Sequence, residues 1–348
     1  MVISVLIAVL FFGFIVFLHE LGHFLTARRF GVTVHEFSIG MGPKLVSKRS
    51  KKSGTVYSWR ALPIGGYVSM AGEEEDSDDP NAFCNKGKLA RFFILFAGAF
   101  MNLLLGFLLM LICVAFSKGL YSNTIDRFLV ADENGSAVTE FRGLSVGDEI
   151  VKVGNTRLFV RYDYLFSAMR AQDKPIALTV RRNGETVMIE NFSFPVTKDN
   201  GQLYGEPNFF VPKLKAKNVG VVLHDTFFQT VSVVKTVFFS LYDLLTGRFG
   251  IEAVSGPVGV VSEVSESVRY GLLSVLFLIS MITINIGIFN LLPFPALDGG
   301  RIAFLIIEAV IGRKLNRRVE SIVNFAGLML LFSLMLLITF KDITTLFS

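Results

Sequence analysis

Two histidines four residues apart, with a glutamate directly after the first, stand in Leu18-His19-Glu20-Leu21-Gly22-His23. On a helix His19 and His23 share one face, so both imidazoles can bind one zinc ion while Glu20 reaches a water molecule beside it. The run from Val2 to Leu18 carries no charge, and Glu20 at its end costs roughly 3 kcal/mol in a bilayer unless a metal or a partner compensates. The plainer alternative is that His19 and Glu20 mark a helix end in the headgroup layer, with Arg28 and Arg29 as interfacial anchors. Only 4 histidines occur in 348 residues and two of them are in this motif, which weights the reading toward metal chemistry.

A second polar cluster closes a later apolar span at Asn290-Leu291-Leu292-Pro293-Phe294-Pro295-Ala296-Leu297-Asp298-Gly299-Gly300. Two prolines within three residues break a helix, and irregular backbone at membrane depth survives only where protein or water satisfies it. Asp298 can supply a third zinc ligand, which leaves a fourth position open as catalytic sites require. Asn290 can hydrogen-bond a substrate carbonyl or an oxyanion. The alternative is an ordinary turn in which Asp298 caps a helix beginning near Arg301.

These residues sit in a chain that is 52% hydrophobic with 35 phenylalanines and has a mean hydropathy of +0.55, values of an integral membrane protein. The net charge of +5 does not indicate nucleic acid. Its Lys and Arg residues gather beside apolar spans, at Arg28 to Arg91 and again at Arg301 to Arg318, which is the pattern of cytoplasmic loops. Cys84 and Cys113 lie in a basic loop and an apolar span, so neither a disulfide framework nor a cysteine zinc site is expected. The first span lacks a basic leader and a small-residue cleavage site, and it reads as a retained transmembrane helix.

Four segments reach spanning length: Val2 to Leu25, Phe92 to Phe116, Leu272 to Leu292 and Ile322 to Phe340. Residues 1–116 form the first two spans with a loop between them. Within that loop Thr55 to Gly72 alternates weakly and turns at Gly65-Gly66, and the acidic run Glu73 to Asp79 reads as a solvated linker. Residues 117–217 alternate strands with Gly and Asn turns and read as a β-rich domain. In residues 218–271, Phe227 to Thr246 has helical spacing with Lys235 and Asp243 among its apolar residues, which suits a helix lying in the interface. Residues 272–348 hold the last two spans. A fifth crossing would carry Asp298 to the face opposite His19 and His23.

HELGH in the first span with NLLPFPALDGG in the third resembles the site-2 proteases, specifically the bacterial intramembrane zinc metalloproteases that carry a PDZ domain. Phe37-Ser38-Ile39-Gly40-Met41-Gly42-Pro43, Gly65-Gly66-Tyr67-Val68-Ser69-Met70-Ala71-Gly72-Glu73 and Gly256-Pro257-Val258-Gly259 are similar to further motifs of that family, in the expected order. Gly143 to Asn155 resembles its GLxxGDxIxxING segment, with room for a single PDZ domain. The resemblance implies Zn2+ held by His19, His23 and Asp298, with Glu20 activating water and Asn290 positioning substrate. It also implies a membrane-reentrant β-hairpin whose Gly65, Gly66, Tyr67 and Val68 align the substrate as a strand. The expected fold is a polytopic α-helical membrane protein with four transmembrane helices, that hairpin and one extracytoplasmic PDZ domain. The expected setting is the bacterial cytoplasmic membrane, and the expected partners are the lipid bilayer and single-pass membrane proteins such as anti-sigma factors or remnant signal peptides.

Two rivals remain. A prenyl-protein type of membrane metalloprotease would place a later glutamate, not an LDG aspartate, on the metal. A metal transporter or a PDZ scaffold forms the non-enzymatic class, and a transporter needs ionisable residues in several spans, where the last two offer little beyond Asn285, Asn290 and Asn324.

Overall fold

The computed structural model describes residues 2–73, 75–130, 138–199, 202–250 and 254–347. Along the chain, α1 (Val2–Arg29) leads into β1 (Val34–Arg49) and β2 (Val56–Met70), then α2 (Lys88–Phe116). Next come β3 (Leu120–Phe128), β4 (Glu140–Phe141), β5 (Leu144–Ser145), β6 (Glu149–Val153), β7 (Thr156–Arg157) and α3 (Arg161–Ala171). They are followed by β8 (Ile176–Arg182), β9 (Glu185–Phe192), β10 (Val196–Asp199), β11 (Gln202–Gly205), β12 (Phe210–Lys215) and α4 (Val219–Leu245). The chain ends with α5 (Pro257–Tyr270), α6 (Leu272–Leu291), α7 (Asp298–Ile311) and α8 (Arg317–Phe347). It divides into two compact units, Met1–Leu108 with Ala253–Ser348, and Leu109–Glu252.

Among the described residues four helices, α1, α2, α6 and α8, are long and apolar enough to cross a membrane, as the sequence leads one to expect, and the protein is a multi-pass membrane protein. Two spans begin earlier than their apolar runs: α2 at Lys88 and α8 at Arg317. Lysine and arginine are good helix formers whose long stems let the charge reach water, so helices continue past the hydrocarbon layer.

In the first unit, helix contacts are polar where they fix geometry. Ser280 Oγ on α6 donates to the Gly106 carbonyl of α2 at 2.7 Å. The buried Arg91–Glu308 pair, 2.8 Å, ties the first turn of α2 to α7. The Gly256-Pro257-Val258-Gly259 motif opens α5, whose first amides receive a carboxylate from α8: Gly256 N–H and Gly259 N–H donate to Asp342 Oδ2 at 2.9 and 2.8 Å. A carboxylate at a helix N-terminus meets both orphan donors and the positive end of the macrodipole.

β1 and β2 pair antiparallel with shifts of register, so residues 36–39 are flanked by 66–69 on one side and 56–59 on the other. The stretch Gly66 to Met70 thus has a β1 partner along one edge only. Glu36 clamps this sheet by accepting from Ser58 Oγ, Lys44 Nζ and Arg60 Nη2 at 2.5, 2.9 and 3.0 Å. Burial opposes ionisation of Glu36, yet hydrogen bonds from Ser58, Lys44, Tyr67 and Arg60 outweigh it and hold the carboxyl down at about 2. A carboxyl held that low contributes its stability above the usual carboxylate range and loses it only as pH falls toward 2, so the clamp persists through the neutral range.

The second unit is a sheet of order β12-β3-β6-β8-β9 over a core that includes Ile125, Phe128, Ile150, Tyr164, Leu178 and Phe192. α4 belongs to this unit, because Asp243 on α4 takes a two-point ion pair from Arg170 on α3, at 2.6 and 2.7 Å. Ser232 of α4 donates to Asp163 at 2.6 Å.

Candidate metal centre

α1 carries His19, Glu20 and His23, and close packing against α2 places them. A Cβ on Gly22 would lie 2.4 Å from the Ala97 carbonyl oxygen, so a side chain at this position would force α1 away from α2. Across the contact, a Cβ on Gly98 would lie 2.3 Å from His23 Nε2 and 2.7 Å from His19 Nε2. The two imidazoles therefore occupy the room that a glycine leaves on α2.

Asp298 reaches them from the broken helix. α6 stops at Leu291 and α7 restarts at Asp298 itself, three residues before the expected Arg301, so Asp298 lies inside the helix and does not cap it. The intervening backbone is satisfied from α8, where Asn324 Oδ1 accepts from Ala296 N–H at 3.2 Å. Asp298 Oδ2 lies 3.0 Å from His19 Nε2 and 3.3 Å from His23 Nε2. Although these are hydrogen-bond distances, no donor is aimed at this buried oxygen.

The environment of the rings shows what the three atoms fit. His23 Nδ1 lies 2.7 Å from the Ile94 carbonyl oxygen, an acceptor only, so in the neutral ring the proton sits on Nδ1 and the Nε2 lone pair is left for a metal. His19 Nδ1 lies 3.3 Å from Nδ2 of Asn102, a fully buried residue whose Oδ1 has no partner among the described residues, so exchanging the two ends of the amide satisfies both groups. With Oδ1 turned to it, that amide accepts the Nδ1 proton and leaves His19 Nε2 bare as well. The two Nε2 atoms are 3.1 Å apart. Two lone pairs and a carboxylate oxygen this close repel unless a cation lies among them, and tetrahedral zinc with bonds of about 2.0–2.2 Å spaces its ligand atoms about 3.3 Å apart. The donor set of two imidazoles and one carboxylate fits zinc.

Glu20 and His23 line a cavity of about 510 Å³ with Tyr67, Val68, Asp298 and Arg301. Glu20 Oε2 accepts the backbone N–H of Val68 at 3.1 Å. Because N–H and C=O of one residue point the same way in an antiparallel ladder, the outer edge of Val68 faces this cavity. Gly65 and Gly66 lie in β2 beside Tyr67 but do not line the cavity. Asn290 sits half-buried in the last turn of α6; it is not among the residues that line the cavity and makes no hydrogen bond among the described residues.

One expectation needs correction. Glu73 is no solvated linker residue, since it lines the cavity and pairs with Arg301 Nη1 at 2.5 Å, giving that half-buried guanidinium a counter-charge. Glu74, in the same acidic run, lies outside the described residues. Three contributors left no motif: Asn102 and the Ile94 carbonyl behind the histidines, and Gly98, which yields the space. Asn324 gave one signal, a lone amide in an apolar span.

If Asn102 fixes the tautomer of His19, Asn102→Leu should weaken zinc binding about 10- to 100-fold, while Asn102→Asp, which keeps an acceptor, should retain most of it. Competition with a chelator of known affinity measures both, and equal affinities would remove Asn102 from the centre.

The chain is similar in sequence to known proteins along its length. The family model described as peptidase family M50 matches residues 7–334. A Fusobacterium nucleatum protein named "Putative zinc metalloprotease" is 38% identical, with 99% of each chain covered. One of the same name from Clostridium acetobutylicum is 35% identical over 98% of this chain and 97% of the relative. The regulator of sigma-W protease RasP of Bacillus subtilis is 30% identical, with 99% of each chain covered. With its two histidines and its aspartate gathered at one point, the chain belongs to peptidase family M50, the site-2 protease family of zinc metalloproteases.

Proposed function

We propose that the protein hydrolyses a peptide bond within the transmembrane segment of single-pass membrane proteins. The observation that carries this reading is a glutamate and a three-ligand set at the end of apolar α1, facing the open edge of β2. Zinc supplies Lewis acidity toward water and the scissile carbonyl when held by His19, His23 and Asp298. Glu20 takes the proton from the attacking water and delivers it to the leaving amine. A helical substrate hides its carbonyls in its own hydrogen bonds, so it must unwind; the outer edge of β2 at Val68, whose N–H Glu20 accepts in the absence of substrate, replaces bonds it loses, with the Tyr67 side chain beside it. Gly65 and Gly66 shape that edge, and Asn290 contacts the substrate from the end of α6.

The hairpin is read as membrane-reentrant, and the β-rich unit as one extracytoplasmic PDZ domain that gates substrates by size or recruits them. α4 is read as an interfacial helix. The setting is the bacterial cytoplasmic membrane and no nucleic acid is involved. Anti-sigma factors and remnant signal peptides are the expected substrates, and the Bacillus subtilis relative is named a regulator of sigma-W.

The direct test is to incubate purified protein with a single-pass substrate in detergent and read the fragments by mass spectrometry. Cleavage inside the apolar segment is expected, and cleavage confined to flanking loops would overturn the reading. Val68→Pro deletes the N–H that meets Glu20, which is also the donor of this residue along the outer edge of β2. Turnover should fall at least about 10-fold with zinc content unchanged, and normal turnover would reduce this edge to a structural loop.

A further inference from the structure

The β-rich unit holds a cavity of about 510 Å³ that the metal centre does not use. Two of its lining side chains carry buried polar atoms without partners, Arg161 Nη1 and Asn123 Oδ1. The Arg161 guanidinium is held in place by aromatic rings, 4.3 Å from the Tyr164 centroid and 4.6 Å from that of Phe210. Asn123 is 8% exposed and makes no hydrogen bond among the described residues with either end of its amide. A buried donor or acceptor is costly to leave unmet, so these two atoms offer a ligand entering the cavity a hydrogen-bonding partner each.

The charge of the wall states what that ligand carries. Arg181 and Lys215 also line the cavity, but Glu149 and Asp225 neutralise them at 3.0 and 2.9 Å. Lys152 and Arg157 line it too, and neither they nor Arg161 have a carboxylate in ion-pair range among the described residues. Three cations therefore stand without counter-charge around one space. A phosphate would meet the cations, but it presents acceptor oxygens on every side and only its protonated oxygen could donate to Asn123 Oδ1. A peptide group offers both an N–H and a carbonyl, and so matches the two ends of an amide.

We propose that this cavity binds an acidic peptide segment, with a carboxylate on the Arg161 fork, further negative charge near Lys152 and Arg157, and a backbone peptide group on Asn123. The planar guanidinium, fixed by its two rings, favours a carboxylate over a diffuse negative field. The site is an anchor for polypeptide, separate in residues and chemistry from the metal centre. It does not rest on the cleavage reading, because binding is measured without turnover.

The test uses the full-length protein in detergent micelles and the anisotropy of a fluorescein-labelled octapeptide containing three glutamates. At physiological salt this peptide should bind about 10-fold more tightly than the same peptide with glutamines. Arg161→Gln should abolish that preference. Because Arg161 packs against the core, the exposed pair Lys152→Ser with Arg157→Ser provides a second variant that spares the fold, and it should weaken the glutamate peptide about 10-fold. Inorganic phosphate at millimolar concentration and vesicles of anionic phospholipid should fail to displace the peptide. Equal affinity for the two peptides, unchanged affinity in the Lys152/Arg157 variant, or displacement by phosphate or by the vesicles would each overturn the proposal.

Discussion

Purified protein carrying Glu20→Gln should retain zinc and lose at least about 10³-fold in turnover. The substitution leaves His19, His23 and Asp298 in place and keeps an oxygen to accept the Val68 N–H, so the local structure persists. What disappears is the group that can accept a proton from water and return it to the amine. His23→Ala should differ in kind, losing metal and activity together, because the remaining imidazole and carboxylate cannot hold the ion alone. Metal analysis of both proteins beside fragment analysis of a transmembrane substrate separates the two outcomes. Full turnover by Glu20→Gln would end the general-base assignment.

The second large effect comes from a residue with no side chain. Gly98→Ala adds one methyl group, yet its Cβ would lie 2.3 Å from His23 Nε2, far inside van der Waals contact. Either the imidazole swings away or α2 retreats from α1, and both open the ligand set. Zinc affinity and turnover should each fall more than about 100-fold, the upper range for disturbing the groups behind metal ligands. Gly87→Ala, at a position with no atom within 4 Å of the new Cβ, is the control and should keep both. A Gly98→Ala protein with a full zinc complement would mean that the two helices adjust freely here.

Comparing these residues shows where the sequence speaks. His19 and His23 are legible because helical spacing alone puts them together, and Asp298 because two prolines advertise broken backbone just before it. The four spans are legible because membranes tolerate few other patterns. Asn102, Gly98 and the Ile94 carbonyl are silent, since α2 reads as one apolar run and their parts are played by a buried amide, an empty space and a main-chain atom. Glu73 misleads because acidic clusters are commonly solvated, and its partner Arg301 lies more than two hundred residues away. The amphipathic pattern of α4 is plain in the sequence, but its attachment to α3 through Arg170 and Asp243 is a tertiary contact that local periodicity cannot announce.

The last span carries a consequence of its own. α8 is held near one end by Asn324, which accepts from the broken segment beside the metal centre, and near the other by Asp342, which caps α5. Most of its apolar side chains between those points are exposed and available to lipid. The two attachments are eighteen residues apart, about 27 Å along a helix, close to the roughly 30 Å of a bilayer's hydrocarbon core. A membrane of another thickness is matched by tilting or bending α8 or by adjustment of the lipid around it, and any movement of α8 is shared by Asn324 and by Glu320, Ser321, Phe325 and Leu328, which wall the cavity. The span that faces the lipid most fully is thus also a wall of the cavity beside the candidate metal ligands.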